Sequence, residues 1–248
     1  MIQRLKRARA AVPWALVPLA GAAACASTGG SAGSDEGVLV LVESAGSESS
    51  SAAIAEGVTA AGADFVILSA PLDSAWFAEV AAGTGLSLSG PSIEEGLGFA
   101  FLATREALGD TTLALPVDPE GVVVLHDALY ELDDDVFLDL IALRADSTHD
   151  PRALVQAFLE YVATDVMTNA PLVLAIHAPD QAVADSVEVL LRPSFRPPAT
   201  CEAGGGEVAR GLRGVRLFIG TPAQIRCVRV RHPPGNGQAL LARLVPLL

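Results

Sequence analysis

The chain has 248 residues, 51% of them hydrophobic, with 29 acidic against 16 basic side chains and a net charge of −13. That apolar content excludes a disordered chain, and the length suffices for one domain with a full core. The negative balance argues against a nucleic-acid binder, because the molecule as a whole repels a phosphate backbone.

Arg4, Lys6, Arg7 and Arg9 precede an apolar run over 10–24 that ends in small residues. A charged start, a short apolar core and a small-residue end form the order of an export signal. The run has 15 residues and contains Pro13 and Pro18, whereas a bilayer-spanning helix needs about 20 apolar residues. Ala22-Ala23-Ala24-Cys25 resembles the lipobox of bacterial lipoproteins, with Ala22 where that class usually has Leu. The resemblance implies a signal peptide over 1–24, lipid on the Cys25 sulfur, and a membrane as partner through that lipid. Ala24-Cys25-Ala26 also fits small-x-small cleavage, which leaves a periplasmic or secreted chain without Cys25. Residues 25–36 are small and polar and read as a tether. A single domain is expected over 37–248.

Within that domain, 38–42 (VLVLV) is a continuous aliphatic run and reads as a buried strand. An Ala-rich helix is expected over 47–61 and a second strand over 65–68. Asp73 or Ser74 caps a helix to about residue 82. Ser92-Ile93-Glu94-Glu95 has the form of a capping box and predicts a helix from there to about 108. A third strand is expected over 111–117. The apolar runs 121–132 and 136–144 flank Asp133-Asp134-Asp135 and read as a hairpin, with a helix over 122–143 as the competing reading. Asp150-Pro151 opens a helix to about 167, 172–176 is a strand, and Asp180 caps a helix to about 191. From about 192 the helix pattern is lost, and 215–219, 225–230 and 239–245 read as strands. The fold class expected is α/β or α+β: a mixed sheet with flanking helices and an antiparallel β extension at the C-terminus.

Charge is unevenly spread along this domain. Residues 26–191 hold Arg105, Arg144 and Arg152 against 27 acids, whereas 192–248 hold nine arginines against Glu202 and Glu207. Either the Arg-rich tail packs on the acidic body and neutralises it, or it binds an external anion. Cys201 and Cys227 remain once Cys25 is set aside, and an exported pair of this kind is expected to form a disulfide.

Chemistry is sparse in the sequence. None of His126, His149, His177 and His232 has metal-ligand spacing, and no metal or other cofactor is expected. Counting an EF-hand loop from Asp133 puts Phe137 and Leu138 where an oxygen ligand and Gly are required. Gly83-Thr84-Gly85 follows a helix and reads as its end. Residues 66–71 (VILSAP) echo 174–179 (LAIHAP): an apolar strand, a polar residue, then Ala-Pro. In open α/β sheets ligands sit beyond the carboxyl ends of strands, which puts Ser69, His177, Glu43 and Ser44 at such an edge. His177 with Ser69 and Asp73 or Asp180 composes a hydrolase-like set.

The leading expectation from sequence is a cell-envelope lipoprotein acting as a non-catalytic binding or assembly module, its partner an envelope protein or a small ligand, without nucleic acid. The alternatives are a small extracytoplasmic hydrolase using His177 and Ser69, or a solute-binding protein. For the last, 60–72 (AAGADFVILSAPL) is similar to sugar-type periplasmic binding proteins, a likeness that implies two lobes.

Overall fold

A computed structural model describes residues 37–94, 97–117, 122–133, 136–145, 148, 150–165, 170–178, 180–195, 215–220, 225–231 and 239–246. Residues 1–36, with Cys25 and the tether, lie outside them, as do His149, Cys201 and His232.

The aliphatic run near the start forms β1 (Val38–Ser44), and α1 (Ser51–Ala61) returns the chain to β2 (Phe65–Ala70), parallel to β1. Helix α2 (Ser74–Thr84) begins where Asp73 accepts a hydrogen bond from the Trp76 amide at 3.0 Å. It ends at Gly85, whose φ of 71° suits a residue without Cβ.

The next segment departs from expectation. Instead of a helix over 92–108, the chain forms β3 (Ser87–Glu94) and β4 (Leu97–Ala103), an antiparallel pair. The capping-box signal is local, and long-range pairing overrides it. Strand β4 lies between β2 and β3. Its Phe99, Phe101 and Ala103 enter one core cluster while Ala100 and Leu102 enter another, so both faces are buried at the strand period of two.

The hairpin reading of the centre holds, with β6 (Val122–Asp133) and β7 (Val136–Arg144) paired antiparallel and β5 (Gly109–Pro116) alongside β6. Helix α3 (Pro151–Asp165) then leads to β8 (Leu172–His177), parallel to β7. Asp180 accepts from the Ala182 amide at 2.8 Å to cap α4 (Gln181–Leu191). The tail supplies β9 (Val215–Gly220), β10 (Ile225–Arg231) and β11 (Ala239–Pro246), each antiparallel to its neighbours.

The strands compose two mixed sheets, ordered β10-β11-β1-β2-β4-β3 and β5-β6-β7-β8-β9. The antiparallel tail extends both: β9 edges the second sheet, and β11 pairs with β1 in the first. The sheets pack face to face through Val40, Val42, Phe65, Ile67, Phe101, Tyr130, Leu140 and Val173. Helices α1 and α2 cover the outer face of the first sheet, and α3 and α4 that of the second. Each fully buried large side chain contributes about 1.5–3 kcal/mol against solvation. The result is an α+β sandwich with helices outside.

Part of the charge asymmetry resolves internally. Arg216 on β9, buried, reaches Glu188 at 2.7 Å and Asp185 at 2.6 Å on α4, and Arg192 also reaches Glu188 at 2.7 Å. At these positions the Arg-rich tail neutralises the acidic body.

Candidate functional site

Two β-α-β units face one another across the sandwich. In β1-α1-β2, Ser44 is in register with Ser69, and in β7-α3-β8, Arg144 is in register with His177. The backbone repeats the match: Ala45 N donates to Ser69 O at 2.8 Å, and Ala145 N donates to His177 O at 2.8 Å. The sequence echo between 66–71 and 174–179 therefore marks equivalent places in the two units.

Strand alternation aims these four side chains inward. Val40 and Val42 precede Ser44, Phe65 and Ile67 precede Ser69, Leu140 and Ala142 precede Arg144, and Val173 and Ala175 precede His177, all in the inter-sheet core. Each apolar strand thus ends in a polar residue at one mouth of the sandwich. Phe99, in register with Ser69 on β4, meets the His177 ring edge-on at 6.5 Å between centroids. That contact brings the ends of the two parallel pairs together.

Ser69 is buried, and its Oγ donates to the Glu43 carbonyl at 3.4 Å. No hydrogen bond joins it to His177. The Nδ1 of His177 is buried and has no hydrogen-bond partner among the described residues. Burial, and then the neighbouring Arg144 guanidinium, push the His177 pKa down to about 4. The imidazole is therefore neutral at pH 7.

Of the residues singled out from sequence, Ser69, Ser44 and His177 lie at core-facing strand ends on this side of the sandwich. Glu43 is buried on the other face of β1, the side of Leu41 and the covering helices. Asp73 and Asp180 are engaged as helix caps. Asp73 also borders a hollow with Pro71, Leu72, Trp76 and Glu79, next to the end of β2. Cys227 lies on β10, and its expected bridge to Cys201 falls outside the described residues. Arg144 and Phe99 were not anticipated. The signal for Arg144 was present: a strand of apolar residues that ends on a charge, as β8 ends on His177.

One layer deeper, His126 is buried and stacks on Phe101 at 4.7 Å, with Nδ1 2.9 Å from Thr112 Oγ1. Burial lowers its pKa against the pull of Asp110 and Asp127. The Asp127 carboxylate accepts from the Tyr161 hydroxyl, tying β6 to α3.

Among the described residues no three His, Cys, Asp or Glu side chains converge as a metal site. Among the described residues, the ends of these four strands carry a guanidinium, an imidazole and two hydroxyls. This set can bind an anion, move a proton and hydrogen-bond to oxygen.

No family profile matches the chain, and no curated protein matches it in sequence. Solved structures do resemble it in fold. The endonuclease/exonuclease/phosphatase from Bacteroides vulgatus superposes with a TM-score of 0.60 at 12% identity, covering 86% of this chain and 100% of that one. Truncated TDP2 from Caenorhabditis elegans gives 0.54 at 11% identity, covering 84% and 97%. The mannosyl-6-phosphatase from Bacteroides thetaiotaomicron gives 0.51 at 10% identity, covering 85% and 100%. The likeness extends over both sheets and corrects two expectations. The sequence favoured a non-catalytic binding or assembly module, and that expectation is overturned: the fold found is shared with structures described as nucleases and phosphatases. The likeness of 60–72 to two-lobed sugar binders reflects only a common helix-strand-loop run, here α1, β2 and the turn into α2.

Proposed function

We propose that this protein is an exported hydrolase of small phosphate esters, with Ser44, Ser69, Arg144 and His177 as its working residues. The observation that carries the reading is the placement of these four residues at the core-facing ends of two strand pairs in a nuclease- and phosphatase-like sandwich, with Phe99 beside Ser69 reaching the His177 ring. Arg144 neutralises the phosphate oxygens, and the serine hydroxyls orient them. Neutral His177 takes a proton from a water as its oxygen bonds to phosphorus. The P–O ester bond breaks, and the imidazolium returns the proton to the departing alkoxide. Alcohol and inorganic phosphate leave, and the imidazole is neutral again.

Charge supports a small substrate over a polymer. A body with 27 acids against three arginines over 26–191 repels an extended polyanion, whereas one phosphate meets the local field of Arg144. The mannosyl-6-phosphatase among the similar structures acts, by its name, on a small sugar phosphate. The N-terminal signal supports export, with lipid on Cys25 anchoring the enzyme to a membrane by way of the 25–36 tether. A Cys201–Cys227 disulfide fits the same oxidising location.

Two experiments test this. Phosphate release from p-nitrophenyl phosphate and mannose 6-phosphate is expected to exceed cleavage of single-stranded DNA, and the reverse order would overturn the substrate class. Intact mass of protein taken from bacterial membranes is expected to show a chain starting at acylated Cys25. A soluble, unacylated chain would refute the anchor.

A further inference from the structure

We propose that the hollow beside the end of β2 receives the alcohol part of the phosphate ester, and that Trp76 and Glu79 select a sugar there. The inference rests on the hydrolase reading above and names the class of alcohol that the site accepts. Ser44 and Ser69 are in register at the ends of β1 and β2, and Ala45 N donates to Ser69 O at 2.8 Å, so the loops that follow the two strands leave from one place. The loop after β2 and the first turns of α2 line the hollow through Pro71, Leu72, Trp76 and Glu79. Its volume is about 690 Å³, and small-molecule sites commonly measure about 300–1,000 Å³. Pro71 follows Ser69 by two residues, which is at most about 7 Å of chain. An ester whose phosphate sits at Ser69 can therefore extend its alcohol into the hollow.

The lining suits a sugar. Trp76 is half-buried, and two contacts fix its ring: Nε1 donates to the Ser49 carbonyl at 3.0 Å, and the buried Phe77 meets it edge-on at 5.2 Å between centroids. Ser49 is itself held in the loop after β1, where Gly46 N donates to its Oγ at 2.9 Å. A ring fixed in this way is a rigid apolar plate whose one N–H is already engaged. The C–H face of a sugar ring is apolar, and the hydroxyls around its edge are donors. Glu79 follows Trp76 by three residues on α2, which puts its carboxylate on the same side of the helix. Its Oε2 accepts from Ser51 Oγ at 2.7 Å, which orients the group. A carboxylate has about four acceptor sites, so capacity remains for sugar hydroxyls. A hydrocarbon alcohol would desolvate that carboxylate and offer it no donor. Asp73, also at the border of the hollow, is engaged as the cap of α2.

The test uses the full chain carrying Trp14→Phe, so that Trp76 is its only tryptophan. Tryptophan emission is followed during titration with free mannose. Steady-state hydrolysis of mannose 6-phosphate is compared with that of ethyl phosphate, which lacks the hydroxyls, and of O-phosphoethanolamine. The expected result is a saturable emission change with mannose and a kcat/KM for mannose 6-phosphate at least about tenfold above that for ethyl phosphate. Glu79→Gln, at an exposed position, should lower that ratio about five- to tenfold, the difference between a charged and a neutral acceptor. Trp76→Ala should lower it chiefly through KM for mannose 6-phosphate, and Trp76→Phe, which keeps an aromatic plate, should recover part. Thermal melts show which variants are folded, and the wild-type comparison needs none of them. Equal kcat/KM for mannose 6-phosphate and ethyl phosphate, with no emission change on mannose, would overturn the inference and leave the hydrolase reading intact. Mannose binding that Glu79→Gln weakens, without turnover of any ester, would support the sugar site and overturn the hydrolase reading. Neither turnover nor a mannose response would overturn both. A ratio kept by the folded variants would refute the roles of Trp76 and Glu79. Preference for O-phosphoethanolamine over mannose 6-phosphate would refute the sugar and give the hollow a cation instead.

Discussion

Arg216 offers a quantitative test of how the Arg-rich tail is held. Its guanidinium is 6% exposed and contacts Glu188, 15% exposed, and Asp185, 60% exposed. The two contacts are therefore unequal. The Asp185 bond is largely hydrated and is worth about 0–1 kcal/mol. The Glu188 bond is shielded, and a shielded charge-assisted bond is worth about 1.5–3 kcal/mol. Removing the arginine does not strand Glu188, which keeps Arg192 at 2.7 Å. Desolvation of the guanidinium is relieved at the same time, and a methionine fills the space of its stem. The net cost of Arg216→Met is therefore about 1–2 kcal/mol, below the 3–5 kcal/mol of a buried pair broken outright. Urea unfolding of a double-mutant cycle at neutral pH measures each coupling. The account expects about 1.5–2 kcal/mol for Arg216 with Glu188→Gln and less than 1 kcal/mol with Asp185→Asn, the second shrinking further in high salt. Equal couplings, or a more stable Arg216→Met protein, would refute the assignment of β9 and α4 as an ion-paired seam.

Three further predictions concern capping, packing and pH. Asp73→Ala and Asp180→Ala should each lower stability by about 1 kcal/mol through a lost cap, and Asp73→Ala should leave turnover per folded molecule unchanged; a large loss of kcat in Asp73→Ala would return that residue to the catalytic set. Gly83→Ala places a Cβ 2.8 Å from the Ala55 Cβ where α1 meets α2. Helix propensity gains up to about 1 kcal/mol but overpacking costs about 1–3 kcal/mol, so a net loss is expected, relieved in a cycle with Ala55→Gly; independent effects of the two changes would contradict that contact. His177 has a folded-state pKa of about 4 against an ordinary 6.5, so the unfolded chain binds a proton that the folded chain refuses between those values. Its contribution is complete above pH 6.5, falls by at most about 3 kcal/mol as pH drops toward 4, and levels off below. Urea midpoints of wild type and His177→Gln should therefore converge with falling pH across that window, and parallel curves would exclude the buried neutral imidazole.

What the sequence made legible is what local chemistry determines. The run VLVLV, the Asp73 and Asp180 caps and the Asp150-Pro151 start correspond to β1, α2, α4 and α3. The β3–β4 pair was misread because Ser92 to Glu95 carries a local helix signal, while the partner that makes β4 a strand is β2, some thirty residues earlier. The division into two sheets depends on β11 returning from the end of the chain to β1, and no window of residues contains both. Ser69 and His177 were legible as polar ends of apolar strands. Their convergence was not, because it arises only when the second sheet closes on the first and Phe99 meets His177. Arg144 entered the sequence reading only as one of three arginines in 26–191.

The central claim is that His177 serves the hydrolysis of small phosphate esters at the sandwich mouth. Steady-state phosphate release by wild type and His177→Gln, with thermal melts to show that both are folded, tests it most directly. The account predicts turnover by the wild type and a loss of about 10²–10⁴-fold in kcat for the variant, the scale of a removed general base. A wild-type protein without turnover, or a folded His177→Gln protein that turns over equally fast, would contradict it.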